Sequence, residues 1–299
     1  MSHLTYPEAV VIGALQGVTE LFPVSSLGHS VLLPALLGRR WARDLSVSAA
    51  ESPYLAFIVG LHVATAVALL VFFWRDWVRI LHGFGTSIRY RRISTPDERL
   101  AWMIIVATIP VGITGLVLEH TFRTVLGRPI PAAIFLTVNG VLLYGAERLR
   151  RRAAVRTPET PAGHGSVAVD QRIATGTFAG AILIGSAQIL ALLPGISRSG
   201  VTMAAGLYKG LSHEDAARFS FLLATPVILA AGVLKLPDLF GPLGDGIRGQ
   251  VLVGSLASGI CAYLAVRFLT RYFETRTLTP FAIYCCAAGL GSLAWLTLA

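Results

Sequence analysis

Four apolar runs decide what this chain can become. Residues 54–74, 100–118, 251–269 and 278–298 approach or exceed the ~18 residues that suggest a bilayer-spanning helix. Only 14% of the 299 residues are charged and 54% are hydrophobic, whereas a soluble domain carries about 25% charged residues. The chain therefore reads as an all-α polytopic membrane protein. Its net charge of +9 comes mostly from arginines placed between the apolar runs. That is the pattern of positive-inside loops rather than of nucleic-acid binding, and no RNA- or DNA-binding motif is present. Cys261, Cys285 and Cys286 all lie in apolar runs, which argues against a disulfide framework or a zinc site. Residues 1–11, MSHLTYPEAVV, lack the basic region of a signal peptide, so the first apolar segment is expected to be retained.

Two segments break the apolar pattern in the same way. Residues 16–29 read QGVTELFPVSSLGH, and residues 188–202 read QILALLPGISRSGVT. Each is introduced by Ile-Gly-x-x-Gln, at 12–16 and 184–188, and each runs to a proline, Pro23 or Pro194, before a serine cluster. Proline disfavours helix at the residue before it, and Ser25 or Ser26 is suited to cap a new helix. Neither half is long enough to span. Each segment, about 7–38 and 173–211, is expected to form a re-entrant hairpin, tolerated at membrane depth only where protein or a water-filled cavity covers it.

The order of elements then repeats. A hairpin and spans at 54–74, 100–118 and 131–146 make a first unit, 1–150. A polar linker covers 151–170. A hairpin and spans at 216–236, 250–269 and 278–298 make a second, 171–299. A weaker match aligns ATIPVGITGLVL, from Ala107, with ATPVILAAGVL, from Ala224. Residues 39–53, 75–99, 119–129 and 237–249 read as loops. Placing the basic loops 75–99, 147–156 and 267–276 in the cytoplasm makes the first hairpin enter from outside and the second from inside. Arg39, Arg40 and Arg43 then lie outside, against the rule. The expected architecture is two inverted-topology repeats, each a re-entrant hairpin plus three transmembrane helices, which sets a site near the midplane.

Both hairpins carry groups that lipid disfavours. An ionised residue at mid-bilayer costs roughly 2.5–3.5 kcal/mol on insertion scales. Glu20 is either an interfacial carboxylate solvated by water or a metal or proton ligand facing a cavity, and Gln16 shares its helix face. One or two carboxylates plus substrate phosphates is a normal Mg²⁺ arrangement, and Ca²⁺ is an alternative. Ser25 and Ser26 serve as caps on the plainer reading. His29, three residues after Ser26, suggests instead a hydroxyl beside a base, the pattern of an activated nucleophile. Gly28 permits close approach of backbone or ligand. His62 is read as a packing residue. Arg198 suits bidentate phosphate binding, with Ser197, Ser199 and Thr202 as further donors and a helix N-terminus aimed at the same place. Together these groups suit phosphoryl transfer, where positioning and charge stabilisation dominate.

At these residues a family resemblance becomes specific. QGVTELFPVSSLGH resembles the (E/Q)GxTEFxPVSSxGH signature of the undecaprenyl pyrophosphate phosphatases of the bacitracin-resistance family, and PGISRSGVT resembles its PGxSRSxxT signature. FFWRDW at 72–77 and FSFLLATPVILAAG at 219–232 add weaker matches, so the resemblance covers nearly the whole chain. It implies a multi-pass enzyme of the bacterial cell membrane that hydrolyses undecaprenyl diphosphate to undecaprenyl phosphate, recycles the lipid carrier of peptidoglycan synthesis and confers bacitracin resistance. The site is expected to open to the extracytoplasmic side. By motif position, Glu20 and Gln16 serve metal or diphosphate binding, Ser26 is the nucleophile, and His29 is an acid/base or the alternative nucleophile. Arg198 clamps the diphosphate with Ser197, Ser199 and Thr202, beside Ser25 and Gly28. Gln16 stands where many members have Glu, and Leu27 where many have Thr. The first change removes a charge and is expected to weaken metal dependence. The competing reading is a polyprenyl-phosphate flippase or other inverted-repeat transporter, and a purely structural membrane protein leaves Glu20 and Arg198 unexplained. The sequence leaves a homo-oligomer open, and leaves open whether Ser26, His29 or water attacks.

Overall fold

A computed structural model describes residues 4–38, 53–154, 165–241 and 246–298. Among them are twelve α-helices, one short 3₁₀ helix and no strands. The helices are α1 (Tyr6–Leu21), α2 (Ser26–Leu37), α3 (Pro53–Phe72), α4 (Trp74–Tyr90), α5 (Pro96–Leu126) and α6 (Pro129–Ala154), followed by α7 (Ser166–Ala174), α8 (Phe178–Ser186), α9 (Arg198–Tyr208), α10 (His213–Phe240), α11 (Arg248–Thr275) and α12 (Thr279–Leu298). The 3₁₀ turn Ala187–Leu192 follows α8 directly. Five helices are long and apolar enough to cross a membrane, and up to seven if each of two bent pairs counts as one span. Their outward faces are apolar, as with Leu252, Leu256 and Ile260 on α11 and Ile109, Ile113 and Leu116 on α5. The chain is a multi-pass membrane protein.

Both segments break near the expected prolines, at Pro23 between α1 and α2 and at Pro194 between the 3₁₀ turn and α9. The connections differ. Residues 75–99, expected as a basic loop, are mostly α4, bent by 83° from the span before it. This helix is two-sided: Ile80, Gly83 and Ser87 are buried, and Arg75 and Arg89 lie in the same helix. A helix of that kind suits the membrane interface, where a run of arginines alone reads as a loop. The linker expected over 151–170 is also corrected at both ends. Residues 151–154 close α6, and 166–174 form α7, which meets the α8 segment at 104°. The second hairpin therefore begins at Phe178, not at 173. Helices α5 and α11 run well past the expected spans, through residues read as loops, and Pro110 does not break α5. Residues 39–52, with Arg39, Arg40 and Arg43, lie outside the described residues, as do 155–164 and 242–245.

Small residues let the backbones approach, as is usual between membrane helices. Gly13 of α1 faces the Gly254 backbone of α11, and Gly17 faces Ser258 and Ala262 one turn on, so these two helices run side by side in the same direction. Gly185 of α8 faces the backbone of Ala107 of α5. Helix α12 packs along α6, and α3 packs between α10 and α11.

One end of the bundle is rich in ion pairs. Asp170 of α7 pairs with Arg79 of α4 and Arg218 of α10, and Arg218 also reaches Asp76 at 3.0 Å. Arg172 pairs with Asp215 at 2.7 Å and Glu214 at 2.9 Å. Glu147 accepts from the Leu278 backbone at 3.3 Å and contacts His213 Nε2 at 2.8 Å, gathering α6, α10 and α12. Asp170 thus ties a stretch expected to be a linker into the fold.

Candidate active site

Helix α1 opens with a capping box between Thr5 and Glu8. It ends before Pro23, where Phe22 turns extended and the Val24 amide donates to the Phe22 carbonyl at 2.7 Å. Ser25 then caps α2, its Oγ accepting from the Gly28 amide at 3.2 Å. Ser25 does this at φ +70° and ψ 103°, a backbone region that a residue with a Cβ populates at a cost of about 1–3 kcal/mol. In the second hairpin Ser197 caps α9 by the same bond to Gly200, at φ −86°. Each capping serine lies nine residues after its glutamine, Gln16 to Ser25 and Gln188 to Ser197 (25 − 16 = 197 − 188 = 9). The first residue of each new helix is therefore Ser26 in one hairpin and Arg198 in the other.

These two first-turn residues meet on one carboxylate. Glu20 is 8% exposed. Its Oε1 accepts from Arg198 Nη2 at 2.7 Å, and its Oε2 accepts from Ser26 Oγ at 2.5 Å and from Gln16 Nε2 at 2.9 Å. His62 Nε2 stands 3.4 Å from the same oxygen. Arg198 Nη1 is buried with no partner among the described residues. A guanidinium with one fork on Glu20 and the other unused is suited to an anionic ligand beside Ser26.

The hairpin breaks are stitched to each other. Phe22 O accepts from Ser197 Oγ at 3.3 Å and Ser199 Oγ at 3.1 Å. Asn139 of α6, fully buried, donates Nδ2 to Pro23 O at 3.1 Å and accepts from the Ser197 amide at 3.0 Å. Gly28 is needed here, because a Cβ would lie 2.9 Å from Gly195 Cα across the hairpins.

The sequence-derived candidates are thus partly assembled. Glu20, Gln16, Ser26 and Arg198 come together. Ser26 and His29 do not form the expected hydrogen-bonded pair. His29 Nδ1 bonds the carbonyl of Ser25, in its own helix, at 2.7 Å, and its Nε2 bonds Tyr284 OH at 2.7 Å, with the two rings stacked. The hydroxyl goes to Glu20 instead. Ser197 and Ser199 act on the Phe22 carbonyl rather than standing as free donors, and Thr202 Oγ1 donates to the Arg198 carbonyl at 2.7 Å. His62, read as a packing residue, belongs to the site. The cost of polar groups in lipid that singled out Glu20 applied to it equally. Asn139 and Tyr284 were missed, and only their place on neighbouring helices relates them to the hairpins.

For a hard cation the oxygen donors are the Glu20 carboxylate and the Gln16 amide. The described residues hold no group of three or more His, Cys, Asp or Glu able to bind a metal, and Arg198 already engages Glu20. This set fits a divalent cation only where substrate phosphates supply further ligands.

Comparison with known proteins shows the family. The family model described as "Bacitracin resistance protein BacA" matches residues 9–291. The chain is 71% identical to a protein named undecaprenyl-diphosphatase from Mycolicibacterium paratuberculosis, over 99% of each chain. It is 53% identical to undecaprenyl-diphosphatase 1 of Frankia casuarinae, over 97% of each. Identity is 42% to undecaprenyl-diphosphatase 2 of Chromobacterium violaceum, over 96% of this chain and 97% of that one. With both signature hairpins in place around Glu20 and the family model matching nearly end to end, this chain belongs to the bacitracin resistance protein BacA family.

Proposed function

We propose that this chain is an integral-membrane lipid diphosphatase that hydrolyses undecaprenyl diphosphate to undecaprenyl phosphate and inorganic phosphate. The observation that carries the reading is Ser26 Oγ, 2.5 Å from Glu20 Oε2, beside an arginine with an unpartnered Nη1. Ser26 Oγ attacks the terminal phosphorus and its proton passes to Glu20. The bridging P–O bond breaks, and its electron pair leaves with the lipid monophosphate. Water then attacks the phosphoserine, its proton taken by an imidazole of the site; the Ser26–phosphorus bond breaks, inorganic phosphate leaves, and Glu20 returns the proton to Ser26 Oγ. Arg198 and the N-termini of α2 and α9 hold the equatorial oxygens, where charge is greatest in a loose transition state. His29, fixed by Ser25 and Tyr284, lies on the first turn of α2 as the second acid/base group. A divalent cation, Mg²⁺ or Ca²⁺, would be held by Glu20 with the substrate phosphates, neutralising phosphate charge, and Gln16 would join through its amide oxygen, the branch not bonded to Glu20.

The two-repeat organisation, 1–150 and 171–299, is part of this proposal. Its support is a repeated packing pattern. Gly13 and Gly185 occupy the same place in the Ile-Gly-x-x-Gln openings, and they pack on α11 and α5 respectively. Each hairpin thus leans on the second span of the other unit. In that correspondence Ala107 is equivalent to Gly254, so the similarity of 107–118 to 224–234 relates elements that are not equivalents. The hairpins also begin at opposite ends. Gln250 Nε2 donates to Leu4 O beside the start of α1, whereas Arg99, at the ion-rich end, donates to Gly176 O before α8. With the ion-rich end in the cytoplasm, the first hairpin descends from the outer face and the site opens extracytoplasmically. Turnover there regenerates the carrier for cell-wall synthesis and lowers the lipid diphosphate available to bacitracin.

The test is phosphate release from a polyprenyl diphosphate by purified protein in detergent, with Mg²⁺ or Ca²⁺ and with EDTA. Release that EDTA stops and Ser26→Ala abolishes is the expected result. Folded wild type that releases nothing with either cation overturns the proposal.

A further inference from the structure

His62 lies on α3, outside both signature hairpins, yet its imidazole completes the Glu20 cluster. Its Nδ1 is 2.9 Å from the Ile58 carbonyl one turn back. A carbonyl only accepts, so that bond puts a hydrogen on Nδ1. In the neutral ring Nε2 then offers a lone pair; of its two neighbours, Glu20 Oε2 at 3.4 Å and the Gln16 amide nitrogen at 3.2 Å, only the amide nitrogen can donate to it. The same nitrogen is 2.9 Å from Glu20 Oε2. An amide nitrogen carries two hydrogens, and here there is one for each acceptor.

This geometry has a directional consequence. Gln16 is 1% exposed and sits one helical turn before Glu20. Its amide can be rotated by half a turn at little steric cost, exchanging oxygen and nitrogen. With the oxygen turned inward it would meet the Glu20 carboxylate and the Nε2 lone pair, two acceptors, and no hydrogen bond would form. Glu20 and His62 therefore select one rotamer together, and His62 fixes the second hydrogen of the amide. In that rotamer the amide nitrogen supports Oε2, the oxygen that accepts from Ser26, and the amide oxygen is on the opposite branch.

We infer that His62 is a positioning residue that acts through Gln16: its Nε2 orients the Gln16 amide and so holds Glu20 Oε2 for the Ser26 hydroxyl. The inference rests on the diphosphatase reading above. It gives an uncharged Gln16 a use beside a carboxylate: its amide nitrogen is shared between two acceptors, Glu20 Oε2 and His62 Nε2, and is held more firmly than Glu20 alone would hold it.

The test uses full-length protein in detergent and compares phosphate release by wild type, His62→Leu, His62→Gln, Gln16→Ala and the Gln16→Ala/His62→Leu double variant, each with its thermal unfolding midpoint. His62→Leu removes a hydrogen bond in a charged cluster and is expected to lower kcat about 10- to 100-fold with KM within about twofold. His62→Gln supplies an acceptor on a longer, unbranched arm and is expected to recover most of that loss. In the Gln16→Ala background His62→Leu should change kcat by less than about threefold, because a residue acting through Gln16 has nothing left to orient. Three outcomes overturn the inference while leaving the diphosphatase reading intact. They are wild-type kcat in folded His62→Leu, equal losses in His62→Gln and His62→Leu, or fully multiplicative losses in the double variant. Folded wild type that releases no phosphate overturns both. If His62→Leu fails to fold, the smaller His62→Ala, which also lacks an acceptor, is compared in the wild-type and Gln16→Ala backgrounds and gives the same decision.

Discussion

The two hairpins share one plan and perform different tasks. Both run from a glutamine through a break to a serine cap nine residues later, and both start a new helix at the next residue. That residue is Ser26 in the first and Arg198 in the second. Glu20, four residues after Gln16, has Leu192 as its counterpart four residues after Gln188. The first hairpin therefore carries hydroxyl and carboxylate, and the second carries the cation. Their backbones differ as well. Helix α1 stays α-helical up to its break, whereas the second segment tightens into a 3₁₀ turn at Ala187–Leu192. Ser25 caps at φ +70° and Ser197 at φ −86°. Strain is held on the side that supplies the hydroxyl, and the other side is relaxed. What this teaches is that a repeated scaffold gives two convergent helix N-termini, and single substitutions at equivalent positions divide the chemistry between them.

The division predicts unequal effects at equivalent positions. Ser26→Ala removes the attacking group, and phosphate release is expected to fall at least about a thousandfold without a change in thermal midpoint. Its counterpart, Arg198→Ala, should lose about 10²- to 10³-fold by removing a charge-stabilising donor. Arg198→Lys should recover little of that, because a point charge cannot engage Glu20 and a phosphate with separate forks. Equal rates in the Lys and wild-type proteins would break the assignment of a forked clamp.

Asn139→Leu tests what joins the hairpins. It leaves Pro23 O and the Ser197 amide without this partner in a buried place, and thermal or denaturant unfolding should show a loss of about 2–4 kcal/mol. An unchanged midpoint would mean that the Ser197 and Ser199 bonds to Phe22 suffice. The smallest effect is the sharpest comparison. Ser25→Gly relieves a positive φ while a glycine cap loses only a few tenths of a kcal/mol, so stability should rise by about 1 kcal/mol. Ser197→Gly, at an ordinary φ, should lower it slightly. The same sign for both would show that Ser25 is not strained. Phosphate release should fall in Ser25→Gly, whose freer backbone holds Ser26 less firmly.

Much of this molecule is legible along the chain. A run of apolar residues in lipid has to be helical, proline stops a helix, and serine starts the next, so both hairpins and most spans can be read locally. Glu20 and Arg198 stand out because a charge at membrane depth needs a reason. Interfacial helices are harder. Helix α4 carries too much charge and α7 is too short to read as a span, so along the chain they read as loop and linker, although a buried face at helical spacing, Ile80, Gly83 and Ser87, marks α4.

The sequence by itself determined the helices, the two breaks, and the residue types at each new helix start, because these follow from hydropathy, backbone stereochemistry and capping within a few residues. Only the tertiary structure decided which groups meet. Ser26 and His29, three residues apart on one helix, diverge to Glu20 and Tyr284, while Glu20 and Arg198, 178 residues apart, share a hydrogen bond. His62 and Asn139 join them from other helices. Spacing along a helix limits which side chains can share a face. The partner each one takes depends on what the neighbouring helices bring within about 3 Å, the range in which a hydrogen bond forms.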